Sequence, residues 1–147
     1  MKRQPHNPIN PPTSSPAPLK PERAGLAAFV RSFGFAAAGL TYLVRTQRNA
    51  RVHLVAAAAI SVTAAWLRLP AAHWAILLLA FALVISLEAI NTAVEATVDL
   101  ASPEFAALAK VAKDVGAAAV LIAAIFCVGI GLLLLGPPLL AKFGWVQ

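Results

Sequence analysis

A long apolar run that ends directly in a row of acidic side chains constrains this chain most. The seventeen residues from Ala71 to Leu87 include only His73 and Ser86 as strongly polar members. The next segment carries polar residues at spacings of three, four and four positions, which an α-helix stacks on one face. Three carboxylates and an amide therefore line up where a membrane-spanning helix reaches water. These residues are Glu88, Asn91, Glu95 and Asp99.

Such a row of carboxylates is costly unless a positive charge lies among them. Mutual repulsion disfavours the ionised forms, and a divalent metal, a lysine or a transferable proton would each relieve it. The row therefore indicates chemistry at a membrane surface rather than simple helix packing.

The composition indicates a small integral membrane protein. Of the 147 residues, 60% are hydrophobic and 12% are charged, about half the charged share of a soluble domain. The net charge of +6 does not form a nucleic-acid face, because the basic residues cluster before and between apolar runs. We therefore expect contact with a lipid bilayer and no nucleic-acid partner.

The predicted fold is all-α, with one amphipathic interfacial helix and three transmembrane helices. Residues 1–24 hold seven of the eleven prolines and are predicted to form a disordered tail. Apolar residues then recur at three- and four-residue steps over 25–46, which predicts a helix lying in the membrane interface. The predicted spans follow at 51–68, 72–100 and 113–135.

Two boundaries of these elements carry explicit signals. Ser102-Pro103-Glu104 has the composition of a helix start, and Gly136-Pro137-Pro138 that of a helix end. A competing interpretation makes the uncharged stretch Phe33–Val44 a short first span. Its twelve residues are too few to cross a hydrocarbon core of about 30 Å.

Loop charge predicts the orientation. The side holding residues 20–51 and 100–114 carries eight basic residues, against Arg68 and Lys142 on the opposite side. Basic loops stay in the cytoplasm, so we expect the amino terminus and the acidic row there.

Cytoplasmic carboxylates at an interface can serve two kinds of function. Lys113 and Asp114 start the third span at the same depth as the row, and lysine, carboxylates and magnesium suit phosphoryl transfer from ATP. The chain has no Walker loop and no kinase glycine loop. On composition alone, a proton-coupled transporter using Glu88 is equally compatible.

A resemblance favours the first function. The segment Glu88-Ala-Ile-Asn-Thr-Ala-Val-Glu-Ala-Thr-Val-Asp99, followed by Ala112-Lys113-Asp114, resembles the signature of the prokaryotic diacylglycerol kinase family. The segments 99–114 and 48–53 are more similar to its undecaprenol kinase branch. The resemblance covers about residues 25–136 and implies a bacterial cytoplasmic-membrane homotrimer that uses ATP and Mg²⁺, with active sites between subunits. The implied acceptor is a membrane lipid alcohol, with undecaprenol favoured and diacylglycerol second.

The resemblance also implies roles for individual residues. Glu88 matches the general base, and Glu95 matches a metal-binding glutamate. A second metal-binding glutamate of the family aligns with Gln47, whose neutral amide is a weaker magnesium ligand. The remaining matches are polar residues of the site, with Lys113 the phosphate contact and Arg31 near the nucleotide: Asn91, Asp99, Lys113, Asp114 and Arg31.

Two of these residues have a simpler interpretation. Asp99 equally fits a residue that caps the exposed helix end or neutralises a nearby positive charge. Asp114 fits a helix-start residue favoured by the helix dipole.

Overall fold

The part of the chain described by the computed structural model, residues 25–102, 104 and 106–145, is helical throughout apart from short connections. Its helices are α1 (Leu26–Thr46), α2 (Arg48–Trp66), α3 (Ala71–Ala101) and α4 (Ala107–Lys142). The all-α prediction is confirmed. The predicted tail, residues 1–24, lies outside the described residues.

The first half of α1 belongs to a separate unit that ends at Phe35. Its large apolar side chains, including Phe29, Val30 and Phe33, are exposed. The rings of Phe29 and Phe33 meet edge to face with centroids 5.1 Å apart, as expected one helical turn apart. This half of α1 therefore presents an apolar surface.

Helices α3 and α4 form an antiparallel pair, and α2 packs against both. Asn91 of α3 lies against Gly116 of α4, and further along the pair the Cys127 thiol donates to the carbonyl of Ala80 at 3.4 Å. At the far end, Leu77 and Leu135 join one buried apolar cluster. The first two contacts keep one register along the pair, so the polar row of α3 faces the start of α4.

The turn between α2 and α3 closes the end of the bundle opposite to the acidic row. Arg68 adopts a left-handed conformation with φ of 55°, and the N–H of Leu69 bonds to the carbonyl of Ala64 at 3.1 Å. This is the Schellman arrangement that ends many helices. Ala64 and Leu69 are buried in one apolar cluster with Leu77 and Leu135, so apolar packing closes this end of the bundle.

Both ends of α4 differ from the sequence prediction. The helix begins at Ala107 rather than at Ser102-Pro103-Glu104. Ser102 instead ends α3, since its N–H bonds to the carbonyl of Val98 at 2.9 Å and its hydroxyl donates to the carbonyl of Glu104 at 3.2 Å. A serine hydroxyl bonded within its own loop cannot cap a new helix.

The predicted stop at Gly136-Pro137-Pro138 is also wrong, because α4 continues through both prolines to Lys142. Proline has a φ compatible with a helix, although it lacks the N–H donor and its ring crowds the carbonyl four residues earlier. The helix then ends in bonds from Phe143, Gly144 and Trp145 to carbonyls of its last turn. Apolar membrane helices tolerate prolines in this way.

Two of the described helices are long and apolar enough to cross a membrane, namely α3 and α4. Only 22% and 17% of the residues in their most apolar stretches are buried, so most of the apolar surface points outward. A core helix of a soluble protein would be mostly buried. The first predicted span, which corresponds to α2, stays a prediction.

Candidate active site

A polar cavity of about 290 Å³ opens between the start of α2, the second half of α3 and the first half of α4. Helices α2 and α3 supply its polar lining, whereas α4 supplies an apolar wall of Ala117, Val120, Leu121 and Ala124. The polar lining residues are Asn49, His53, Glu88, Asn91 and Glu95.

Glu88 is the most buried charged residue in the described part of the chain, with 2% of its surface exposed. Its carboxylate interacts electrostatically with His53, with Glu95 and with the backbone N–H of Ala50. The Oε2 atom has no hydrogen-bond partner. An unpaired, desolvated carboxylate oxygen that lines a cavity is well suited to accept a proton.

Asn91 links the Glu95 carboxylate to helix α4. Its Nδ2 atom donates to Oε1 of Glu95 at 3.0 Å, one helical turn away. Its Oδ1 atom is turned towards α4, where a Cβ built on Gly116 would lie only 2.4 Å from it. Asn91 is therefore wedged between the helices, and this fixes the Glu95 carboxylate.

Gly116 is a residue that the sequence reasoning missed. No side chain larger than hydrogen fits at this position unless Asn91 moves. The available signal was a small residue at the start of an apolar span, where close helix approach in membranes is common.

Asn49 and His53 of α2 were also missed as site residues. Both line the cavity, one turn apart on the same helix face. Their position relative to Glu88 depends on the packing of α2 against α3, which the sequence pattern does not specify.

The second half of the predicted site forms ion pairs outside this cavity. Lys113 donates to Asp99 Oδ1, linking α4 to the end of α3, and Lys110 donates to Asp114 within α4. The Asp99 and Asp114 side chains are 67% and 61% exposed. The first pair is the one expected if Asp99 neutralises a nearby positive charge.

Two predicted residues lie on or beside α1. Gln47 is half-buried between α1 and α2, where its N–H bonds to the carbonyl of Leu43 at 2.8 Å. It is not among the residues that line the cavity, all of which are described. Arg31 is exposed on the first half of α1.

Glu88 and Glu95 are the two carboxylates of this cavity that could hold a magnesium ion. Magnesium in such sites takes one or two protein carboxylates, and the phosphates and water supply the other ligands. Glu88 and Glu95 are close enough to repel each other, and no lysine or arginine lines the cavity among the described residues. A cation between them would relieve that repulsion.

Comparison with known proteins identifies the family of this chain. Residues 34–135 match the prokaryotic diacylglycerol kinase family. The chain is 43% identical to a diacylglycerol kinase of Synechocystis over 88% of its own length and 77% of that protein. It is 39% identical to the undecaprenol kinase of Bacillus subtilis, over 82% and 98% of the two chains. It is 35% identical to the diacylglycerol kinase of Escherichia coli K12, over 71% and 85%.

The matched region includes α2, α3 and almost all of α4 up to the predicted stop, and thus every residue that lines the polar cavity. The family match agrees with the all-helical architecture and with the apolar surface that faces outward. The chain belongs to the prokaryotic diacylglycerol kinase family, whose named relatives are lipid kinases.

Proposed function

We propose that this protein transfers the γ-phosphoryl group of ATP to the hydroxyl of a membrane lipid alcohol. The observation that carries the proposal is the buried Glu88 carboxylate, whose Oε2 atom has no partner and which lines a cavity directly after the apolar stretch of α3. An alcohol is a poor nucleophile until a base takes its proton. Membership of a lipid kinase family supports this function over proton-coupled transport.

In the proposed reaction, Glu88 Oε2 accepts the proton of the lipid hydroxyl as its oxygen bonds to the γ-phosphorus. The bond between that phosphorus and the β–γ bridging oxygen breaks, which gives the lipid phosphate and ADP. The His53 side chain and the Glu88 carboxylate line the same cavity. Such catalysis depends mainly on position and on electrostatic stabilisation.

We propose that Glu95, oriented by Asn91, and Gln47 hold the magnesium ion, which supplies neutralisation of phosphate charge. Lys113 lies near the protein–water boundary and can exchange Asp99 for a phosphate oxygen, because an exposed ion pair is weak. Asn91, Asp114, Asp99 and Arg31 complete the site in this proposal.

The acceptor is proposed to be undecaprenol, with diacylglycerol second. Relatives carry both names, so the preference rests on the similarity of residues 99–114 to the undecaprenol branch. We also propose a homotrimer in the bacterial cytoplasmic membrane. In this proposal α2 spans the membrane together with α3 and α4, and the site lies on the cytoplasmic side. The basic residues that flank α2 on that side support this orientation.

One experiment tests the reaction and the acceptor together. Purified protein in mixed micelles is given radiolabelled ATP, magnesium and either undecaprenol or dioleoylglycerol at matched mole fraction. We expect label in both lipids and faster labelling of undecaprenol. Label in neither lipid, with proton-driven uptake in vesicles, would favour the transporter instead. A strong preference for dioleoylglycerol would overturn the choice of acceptor.

A further inference from the structure

A groove with a volume of about 430 Å³ runs along one face of α2. It shares no lining residue with the polar cavity, which takes Asn49 and His53 from the same helix. The groove residues are Arg48, Arg51, Val52, Val55, Ala56 and Ala59. They recur at steps of three and four positions, so they form one helix face. This face is cationic at the start of α2 and apolar beyond it.

The cationic end of the groove lacks a carboxylate partner. Between Glu22 and Glu88 the sequence contains no aspartate or glutamate. Arg48 and Arg51 are exposed, and within the described part of the chain neither forms an ion pair with a carboxylate. The Nη1 atom of Arg51 donates to the carbonyl of Arg45 at 3.2 Å, which leaves its other N–H donors available. The two arginines can therefore bind an anionic group.

The length of the groove is comparable to the thickness of one bilayer leaflet. Val52 and Ala59 are about 10 Å apart along the helix axis, and Arg48 and Ala59 are about 16 Å apart. Half of a hydrocarbon core is about 15 Å thick. With α2 crossing the membrane as proposed, Arg48 lies among the headgroups of the cytoplasmic leaflet, and the apolar part of the groove faces the acyl chains of that leaflet.

We infer that this groove binds a phospholipid whose headgroup carries a net negative charge. The phosphate lies at Arg48 and Arg51, since guanidinium groups bind phosphate oxygens in a two-point geometry. One acyl chain follows Val55 and Ala59. A zwitterionic headgroup would add an ammonium group that finds no carboxylate on α2. The inference requires that α2 crosses the membrane, and it does not depend on the proposed phosphoryl transfer.

Two other occupants fit this groove less well. A nucleotide or a free phosphate would bind the arginines but leave the apolar part of the groove exposed. A second copy of the chain has few carboxylates to offer them. Its Glu88 and Glu95 line their own cavity, and its Asp99 and Asp114 are already paired with lysines.

Native mass spectrometry tests the arginine end of the groove. The purified protein in micelles is titrated, without ATP, with phosphatidylglycerol or with phosphatidylcholine, and the mole fraction that half-saturates the first bound lipid is measured. We expect phosphatidylglycerol to bind at a mole fraction about tenfold lower or less, because each arginine near a membrane surface favours an anionic lipid. The double variant Arg48→Gln, Arg51→Gln should bind both lipids equally.

The charge-matched control is Arg68→Gln, just beyond the other end of α2, which should keep the preference. An equal loss of preference in Arg68→Gln and in the double variant would assign the effect to net charge and overturn the inference. An unchanged preference in the double variant would overturn it as well.

A second pair of variants tests the apolar part of the groove. Val55 and Val62 lie on α2 and are 70% and 71% exposed, but only Val55 lines the groove. Val55→Phe should raise the half-saturating mole fraction of phosphatidylglycerol about tenfold, because the ring occupies chain volume. Val62→Phe should leave it unchanged. Equal effects of the two variants would overturn the inference. A Val55→Phe protein with unaltered lipid binding and a smaller oligomer mass in the same spectra would show that a second copy covers this face instead.

Discussion

The acidic residues of this chain fall into two groups that differ in burial and in partners. The cavity group consists of Glu88, which is buried, and Glu95, which is half-buried and accepts a hydrogen bond from the Asn91 amide rather than from a lysine. The ion-pair group, Asp99 and Asp114, is exposed, and each member is neutralised by a lysine of α4. Both groups lie within a few turns of each other at one end of the α3–α4 pair.

The difference shows which carboxylates can do chemistry. An exposed ion pair contributes about 0–1 kcal/mol to stability, and its partners exchange readily. A buried and a half-buried carboxylate that share a cavity without a lysine or arginine are costly, and such a cost persists where the site binds a cation or a proton. The cavity group should therefore control the chemical step, and the ion-pair group should affect nucleotide binding at most.

The largest effect is expected from Glu88→Gln. The substitution keeps size and helix propensity but removes the proton acceptor, so kcat should fall about 100- to 10,000-fold. Radiolabelled phosphate transfer to the lipid measures it, with circular dichroism to confirm that the helices persist. Glu104→Gln is the matched control on an exposed residue and should keep full activity. A Glu88→Gln protein with more than about half of the original rate would refute the base assignment.

Gly116→Ala should have the next largest effect, because its Cβ would lie 2.4 Å from Asn91 Oδ1. The asparagine must move, and Glu95 then loses the bond that orients it. A displacement of about 1 Å at a catalytic group can lower kcat about 100-fold. Overpacking should also lower the free energy of unfolding by about 1–3 kcal/mol.

Gly129→Ala is the matched control for this prediction. It makes the same substitution on the same helix, but a Cβ there meets no atom within 4 Å. Activity should stay unchanged in this variant, and the unfolding midpoint should not fall, because alanine is the better helix former. If both variants lose activity equally, the loss comes from α4 in general and the wedged asparagine is not its cause.

Gly116 also illustrates where sequence reasoning ends. The spacing of Glu88, Asn91 and Glu95 predicts a shared helix face, because that depends only on helix geometry. The turn of helix α4 that touches Asn91 depends on the register between two helices, which no local pattern encodes. For the same reason the sequence did not identify His53 and Asn49 as site residues. The local signals at the ends of α4 were misleading, at Ser102 for its start and at Pro137 and Pro138 for its end.

The exposed group gives the third prediction, Lys113→Gln. Loss of a charged contact to a phosphate oxygen should raise the KM for ATP about tenfold. The free energy of unfolding should change by less than about 1 kcal/mol, since the lost pair with Asp99 is exposed. Lys110→Gln breaks the comparable pair with Asp114 and should leave the KM unchanged. Equal kinetic losses in both variants would assign the effect to net charge rather than to a phosphate contact.

The smallest effect is expected at the metal. Gln47→Glu adds the carboxylate that the family pattern has at this position, so the magnesium concentration for half-maximal activity should fall a few-fold, about 2- to 5-fold. A magnesium titration of initial rates at saturating ATP measures the change, and kcat should alter little.

Asn49→Asp is the informative comparison for that titration. It adds the same charge two residues away, at a position that lines the Glu88 cavity, whereas Gln47 does not line it. If Gln47 faces the metal, Gln47→Glu should lower the magnesium requirement more than Asn49→Asp does. If only Asn49→Asp lowers the requirement, the ion lies inside the cavity between the carboxylates of α3 and the start of α2. An unchanged requirement in Gln47→Glu would remove Gln47 from the metal site and leave Glu95 as its remaining proposed ligand.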